Sequence, residues 1–103
     1  MEEVQFKNLL PREFKQRFEA CPLAYLPIGS LEWHGEHLCF GVDTVKVEAI
    51  CQQAARKGGG IVLPGLFLGN RDMIPWAPEY NMGNNGIFGI PSELLARIID
   101  VQF

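Results

Sequence analysis

The chain is predicted to be α/β, a layered parallel sheet flanked by helices. Three observations carry that expectation. Residues 23–28 are a nearly continuous apolar run ending in Gly29-Ser30, as in a buried parallel strand that delivers a loop at its carboxyl end. Residues 44–57 place Val47, Ile50, Cys51 and Ala54 at i, i+3, i+4 and i+7, one face of a helix, with Gly58 as its stop. Residues 61–63 are short, β-branched and glycine-bounded, so they read as a second parallel strand joined to the first by a right-handed crossover.

The flanking segments follow the same logic. Residues 8–20 are predicted helical, with Pro11 in the first turn and Phe14 and Phe18 forming an i, i+4 apolar stripe. Residues 65–91 hold so many Gly, Pro and Asn residues that an irregular, mobile segment is expected. Within it Trp76, Tyr80 and Phe88 either line or cover a pocket or anchor the segment to the sheet, and Arg71-Asp72 reads as an exposed pair. Ser92 is placed as the cap of a last helix with Leu94, Leu95, Ile98 and Ile99 on one face.

With 103 residues, 48% of them hydrophobic, one domain at most is expected over residues 1–103. A net charge of −3 and a pI near 5.3 argue against nucleic acid as a partner, which needs a basic face. There is no long apolar run, and Met1-Glu2-Glu3 is acidic, so neither a membrane span nor a signal peptide is expected and the cytoplasm is the predicted location. Cys21, Cys39 and Cys51 have no close partner in sequence, which suits reduced thiols.

Metal-capable side chains concentrate in residues 27–43. Glu32 and His34 are two apart and project from one face of an extended backbone, while Asp43, ahead of the expected helix, can fold back towards them. These groups suit an oxygen-rich divalent metal site, with Gly29, Gly35 and Gly41 letting the chain bend. Plainer roles exist for each. Asp43 could only cap the helix, and His34 could be a hydrogen-bonded structural histidine. His37 either orients a metal ligand from behind or satisfies loop backbone. Glu36 is a solvated carboxylate or a proton carrier. Cys39 lacks a paired Cys-x-x-Cys arrangement, so a buried or half-buried thiol is expected instead of a zinc ligand. Trp33 should point to the opposite face and pack, and Gly58-Gly59-Gly60 ends a helix where a phosphate loop would open one.

The string Pro27-Ile28-Gly29-Ser30-x-Glu32-x-His34-Gly35-x-His37-Leu38, followed by Gly41-x-Asp43-Thr44, resembles the N-terminal signature of the creatininase (creatinine amidohydrolase) family, in detail over residues 23–65. The resemblance implies a metal-dependent hydrolase of cyclic amide or formamide C–N bonds that commonly holds two divalent ions, with Glu32 on one, His34 on the other and Asp43 bridging. Zinc, manganese and iron all fit mixed oxygen and nitrogen ligands. It also implies a small-molecule amide or formamide substrate and assembly as a homo-oligomer.

Two departures qualify it. The family usually has proline where Glu36 and Cys39 stand. Its members continue into a Gly-His-rich segment and a further carboxylate, whereas His34 and His37 are the only histidines of this sequence. The expectation is therefore an amino-terminal portion, truncated at the C-terminus, that carries three ligands and no further catalytic residue and does not hydrolyse an amide by itself. The rival is a non-catalytic metal-binding or interaction fragment that keeps the fold.

Overall fold

The computed structural model describes residues 2–70 and 87–102, without the side chains at 70, 87–89 and 102. A 3-10 turn at Phe6–Asn8 leads into α1, Pro11–Ala20. Pro11 holds the first helical position as expected, and Glu13 accepts a hydrogen bond at 2.7 Å from the N–H of Leu10, one of the groups a helix start leaves unpaired. Phe14 and Phe18 meet at a centroid distance of 6.0 Å, so the expected stripe forms.

Two parallel strands follow the predicted order. β1, Ala24–Tyr25, pairs with β3, Ile61–Val62, in the register Ala24↔Ile61 and Tyr25↔Val62. The ladder resumes beyond Pro27, which has no N–H to give, as a parallel bridge between Ile28 and Leu66. On its other side β3 receives the amino-terminal segment, with Val62 N–H donating to the Val4 carbonyl at 2.8 Å. Flanked on both edges, β3 is buried throughout, whereas Leu23, Ala24 and Ile28 are exposed, so the strand expected to be buried at 23–28 is buried only in part.

Between the strands runs α2, Val42–Gly58. It starts two residues earlier than predicted and passes through Gly58 to stop at Gly59, φ 91°. Its inward line is Thr44, Cys51 and Ala55 at i, i+7 and i+11, with Thr44 and Ala55 fully buried and Cys51 packed on the core. Ile50, expected on that face, is exposed. The difference has a steric cause: small side chains let the helix lie close to the sheet, and the larger apolar residues are turned aside. The core is small, Val4, Ala55 and Val62 with Tyr25 and Cys51 against it. Burial holds the Cys51 thiol up, helped by the charge of Glu48. Arg17 ties α1 to the end of α2 by donating to the carbonyls of Gly60 (2.9 Å) and Ala55 (3.2 Å) and pairing with Glu2.

A second, mixed sheet was not foreseen. β2, Leu31–Glu32, lies antiparallel to β5, Ile87–Ile90, which is parallel to β4, Gly69–Asn70, in the order β2-β5-β4. Both ends of the segment expected to be irregular are thus regular strand, and Phe88 stands opposite Leu31 in register. The expectations for Arg71, Asp72, Trp76 and Tyr80 fall outside the described residues. The last helix, α3, is Ser92–Gln102. Ser92 is its first residue, and the Pro91 carbonyl accepts from Leu94 and Leu95 at 3.0 and 3.1 Å. Among the described residues no helix is long and apolar enough to cross a membrane.

Candidate metal centre

Three elements deliver the candidate ligands. Glu32 ends β2, His34 lies two residues on, and Asp43 is the second residue of α2. Gly41, and not Asp43, occupies the cap position, so the capping role open to Asp43 in the sequence is not the one it plays. Residues 33–40 form a loop closed by the Glu32 N–H donating to the Phe40 carbonyl at 3.1 Å and by an edge contact between the rings of Trp33 and Phe40, centroids 6.2 Å apart. Trp33 packs, as its alternation with the ligands suggested. Gly35, φ 90°, turns the loop in a conformation that side chains rarely adopt.

Gly29 serves differently. A Cβ there would come within 2.7 Å of both the Asp43 carbonyl carbon and the Thr44 hydroxyl, so the absence of a side chain is what lets the start of α2 lie against the segment entering β2. This approach carries Asp43 to the other two groups. His34 Nε2 lies 3.8 Å from a Glu32 oxygen and 3.5 Å from an Asp43 oxygen, and one donor atom from each of the three residues falls within 4.8 Å of the others.

All three residues are half-buried. Burial raises the Glu32 carboxyl above the ordinary carboxylate value; the nearby His34 opposes that shift and the negative charge of Asp43 adds to it. His34 Nε2 is fully shielded from solvent and has no hydrogen-bond partner. A buried polar atom left so costs about 1–3 kcal/mol unless something else binds it. Two carboxylates and an imidazole are a donor set for a divalent cation, and donors about 2.0–2.2 Å from one ion stand some 3–4 Å from each other, the range in which both His34–carboxylate separations fall. The residues fit a metal.

The other residues singled out in the signature stay outside the cluster. Glu36, His37 and Cys39 are exposed, with the His37 ring over Gly35. Cys39 is therefore not the buried or half-buried thiol expected: the loop carries it to the surface. Thr44 and Glu48 were missed. The Thr44 hydroxyl lies 3.1 and 3.0 Å from the carbonyls of Gly29 and Leu66, and a Glu48 oxygen accepts from Gly65 N–H at 3.1 Å. Their i, i+4 spacing is visible in sequence, but its meaning depends on which face of α2 is inward.

An α/β fold with a carboxylate–imidazole cluster at a strand end and a helix start is thus the class of protein in hand. Comparison with known proteins narrows it. The family model for creatininase, creatinine amidohydrolase, matches residues 7–94, and the chain belongs to the creatininase family. Creatinine amidohydrolase of Pseudomonas putida is 42% identical over 60 residues, 56% of this chain and 23% of that protein. The 3-dehydro-scyllo-inosose hydrolase of Thermotoga maritima is 28% identical over 90 residues, 87% of this chain and 27% of that protein. A crystal structure of creatinine amidohydrolase superposes with a TM-score of 0.73 at 30% identity, covering 98% of this chain and 39% of the other. A manganese creatininase and a mutant creatininase of the Zn–Zn type each superpose with a TM-score of 0.72, at 30% and 26% identity, over 91% and 98% of this chain and 36% and 39% of theirs. The chain spans between 23% and 39% of the length of these relatives.

Proposed function

We propose that Glu32, His34 and Asp43 are the metal ligands this chain contributes to a creatininase-type hydrolase acting on the C–N bond of a small cyclic amide or formamide. The observation that carries this reading is the shielded, unbonded Nε2 of His34 beside two carboxylates. Manganese and zinc are the metals named for the solved relatives, and iron fits the same donors. A bound divalent ion supplies a water acidic enough to be hydroxide near neutrality and polarises the carbonyl under attack.

The chain's own residues do the rest. Glu32 and Asp43 bring the negative charge that makes cation binding favourable, and the family resemblance assigns Asp43 the shared position between two ions. His34 contributes a nitrogen donor from a loop pinned by Trp33 and Phe40. His37, exposed with its ring over Gly35 and outside the three-donor cluster, contributes less, at most as an orienting group. Three donors, one of them shared, leave two ions short of protein ligands, so residues 1–103 alone are expected to take up metal weakly and not to turn over an amide. Assembly of the active protein as a homo-oligomer in the cytoplasm belongs to the same proposal.

Calorimetric titration of the full chain with Mn²⁺ and Zn²⁺ tests it. Glu32→Gln, His34→Asn and Asp43→Asn are each expected to weaken binding about 10-fold or more, and His37→Asn by much less. Wild-type protein that takes up neither metal, or an Asp43→Asn loss no greater than that of His37→Asn, would defeat the assignment.

A further inference from the structure

Building on the ligand assignment above, we propose that Thr44 is a positioning residue whose buried hydroxyl holds Asp43 in place against Glu32 and His34. The hydroxyl lies within 3.1 Å of the Gly29 carbonyl and 3.0 Å of the Leu66 carbonyl, and its single proton is shared between them. These acceptors belong to the two stretches between which α2 begins. Gly29 stands three residues ahead of Glu32, and Leu66 leads from β3 towards β4.

The junction is tightly determined. Gly29 N–H donates to the Leu66 carbonyl at 3.0 Å, and Leu66 N–H donates to the Pro27 carbonyl at 2.9 Å, so the two stretches are already bonded to each other. Thr44 adds the helix to that pair, and Glu48, one turn on, repeats the tie through Gly65 N–H. Thr44 is fully buried, which leaves water no access to replace its bonds. Its backbone is joined directly to Asp43, whose Cα stands one peptide away, about 3.8 Å. A shift of the Thr44 backbone away from Gly29 therefore shifts Asp43 away from His34. The side-chain atoms that converge on the candidate metal site come from both sides of this junction, which the Thr44 hydroxyl spans.

Substitutions isolate the hydroxyl. Thr44→Val keeps the shape and removes the donor; Thr44→Ser and Thr44→Ala share the lost methyl and differ only by the hydroxyl, so this pair reads the bond even if the valine variant fails to fold. Mn²⁺ affinity of the full chain is expected to fall roughly 10- to 100-fold in Thr44→Val and Thr44→Ala and to stay near wild type in Thr44→Ser. Val62→Ala, in the core with Val4 and Ala55 and outside the cluster, supplies a variant of comparable destabilisation with metal affinity expected to hold.

A metal-free crystal structure gives the second measure. In Thr44→Val or Thr44→Ala the His34 Nε2 to Asp43 oxygen separation, 3.5 Å in the native protein, is expected to lengthen by about 1 Å, a displacement large enough to spoil a preorganised site. Wild-type affinity in both hydroxyl-less variants, a Val62→Ala loss as large as theirs, or an unchanged separation would overturn the role of Thr44. If the wild-type chain itself takes up no metal, the ligand assignment falls, and the metal-free separation alone decides for or against Thr44.

Discussion

Gly29→Ala is the substitution on which the geometry bears most directly. The new methyl would lie 2.7 Å from the Asp43 carbonyl carbon and from the Thr44 hydroxyl, about 0.7 Å inside the 3.4 Å at which ordinary contact begins. The obstructing atoms are backbone and a buried side chain, so the start of α2 and the segment entering β2 must separate. Overpacking of this kind costs about 1–3 kcal/mol. The displacement also exceeds the roughly 0.5 Å within which a coordinating group must be held, so metal affinity is expected to drop about 10-fold or more. Urea denaturation of the metal-free chain and Mn²⁺ titration measure the two effects. Gly58→Ala provides the control, because a Cβ there meets nothing within 4 Å and the residue is helical; it is expected to be neutral or to stabilise by up to about 1 kcal/mol. A Gly29→Ala protein with native midpoint and native metal affinity would refute the close-approach account of the site.

Two further outcomes are expected. Because burial first, and Asp43 second, hold Glu32 above its ordinary value, its proton is bound more tightly in the folded metal-free chain than in the unfolded one. Its contribution to stability is full below the unfolded pKa and is lost as pH rises through the folded one, so the metal-free urea midpoint should decline across that window and Glu32→Gln should remove the decline while weakening metal uptake. Identical pH profiles for the two proteins would sink this account. Separately, Phe18, Leu23 and Val101 are 55%, 48% and 86% exposed, and residues 1–103 in isolation are expected to self-associate in sedimentation velocity and to show no metal-dependent amide hydrolysis. A monodisperse monomer that turns over an amide would contradict both parts.

The strand–helix–strand order was legible because it rests on local patterns: apolar runs at 23–28 and 61–63 and a helical period between them. The pairing of β2 with β5 was not. Two-residue strands such as Leu31–Glu32 and Gly69–Asn70 carry too little alternation to announce themselves, and they exist because a partner distant in sequence supplies their hydrogen bonds. The inward face of α2 was misjudged at Ile50 for a related reason. Periodicity locates large apolar side chains, while close packing on the sheet selected Thr44 and Ala55.

By itself the sequence determined which donor types are available and where along the chain they cluster. Ligand type is a property of single side chains, and the two-residue spacing of Glu32 and His34 is a local consequence of extended backbone. Tertiary structure alone decided that Asp43 stands 3.5 Å from His34, that His34 Nε2 is shielded and unbonded, that Cys39 faces solvent, and that Thr44 spans two backbone segments. Each of these depends on how closely the start of α2 approaches the segment around Gly29. That distance is set by packing between stretches far apart in the chain, where no local pattern records it.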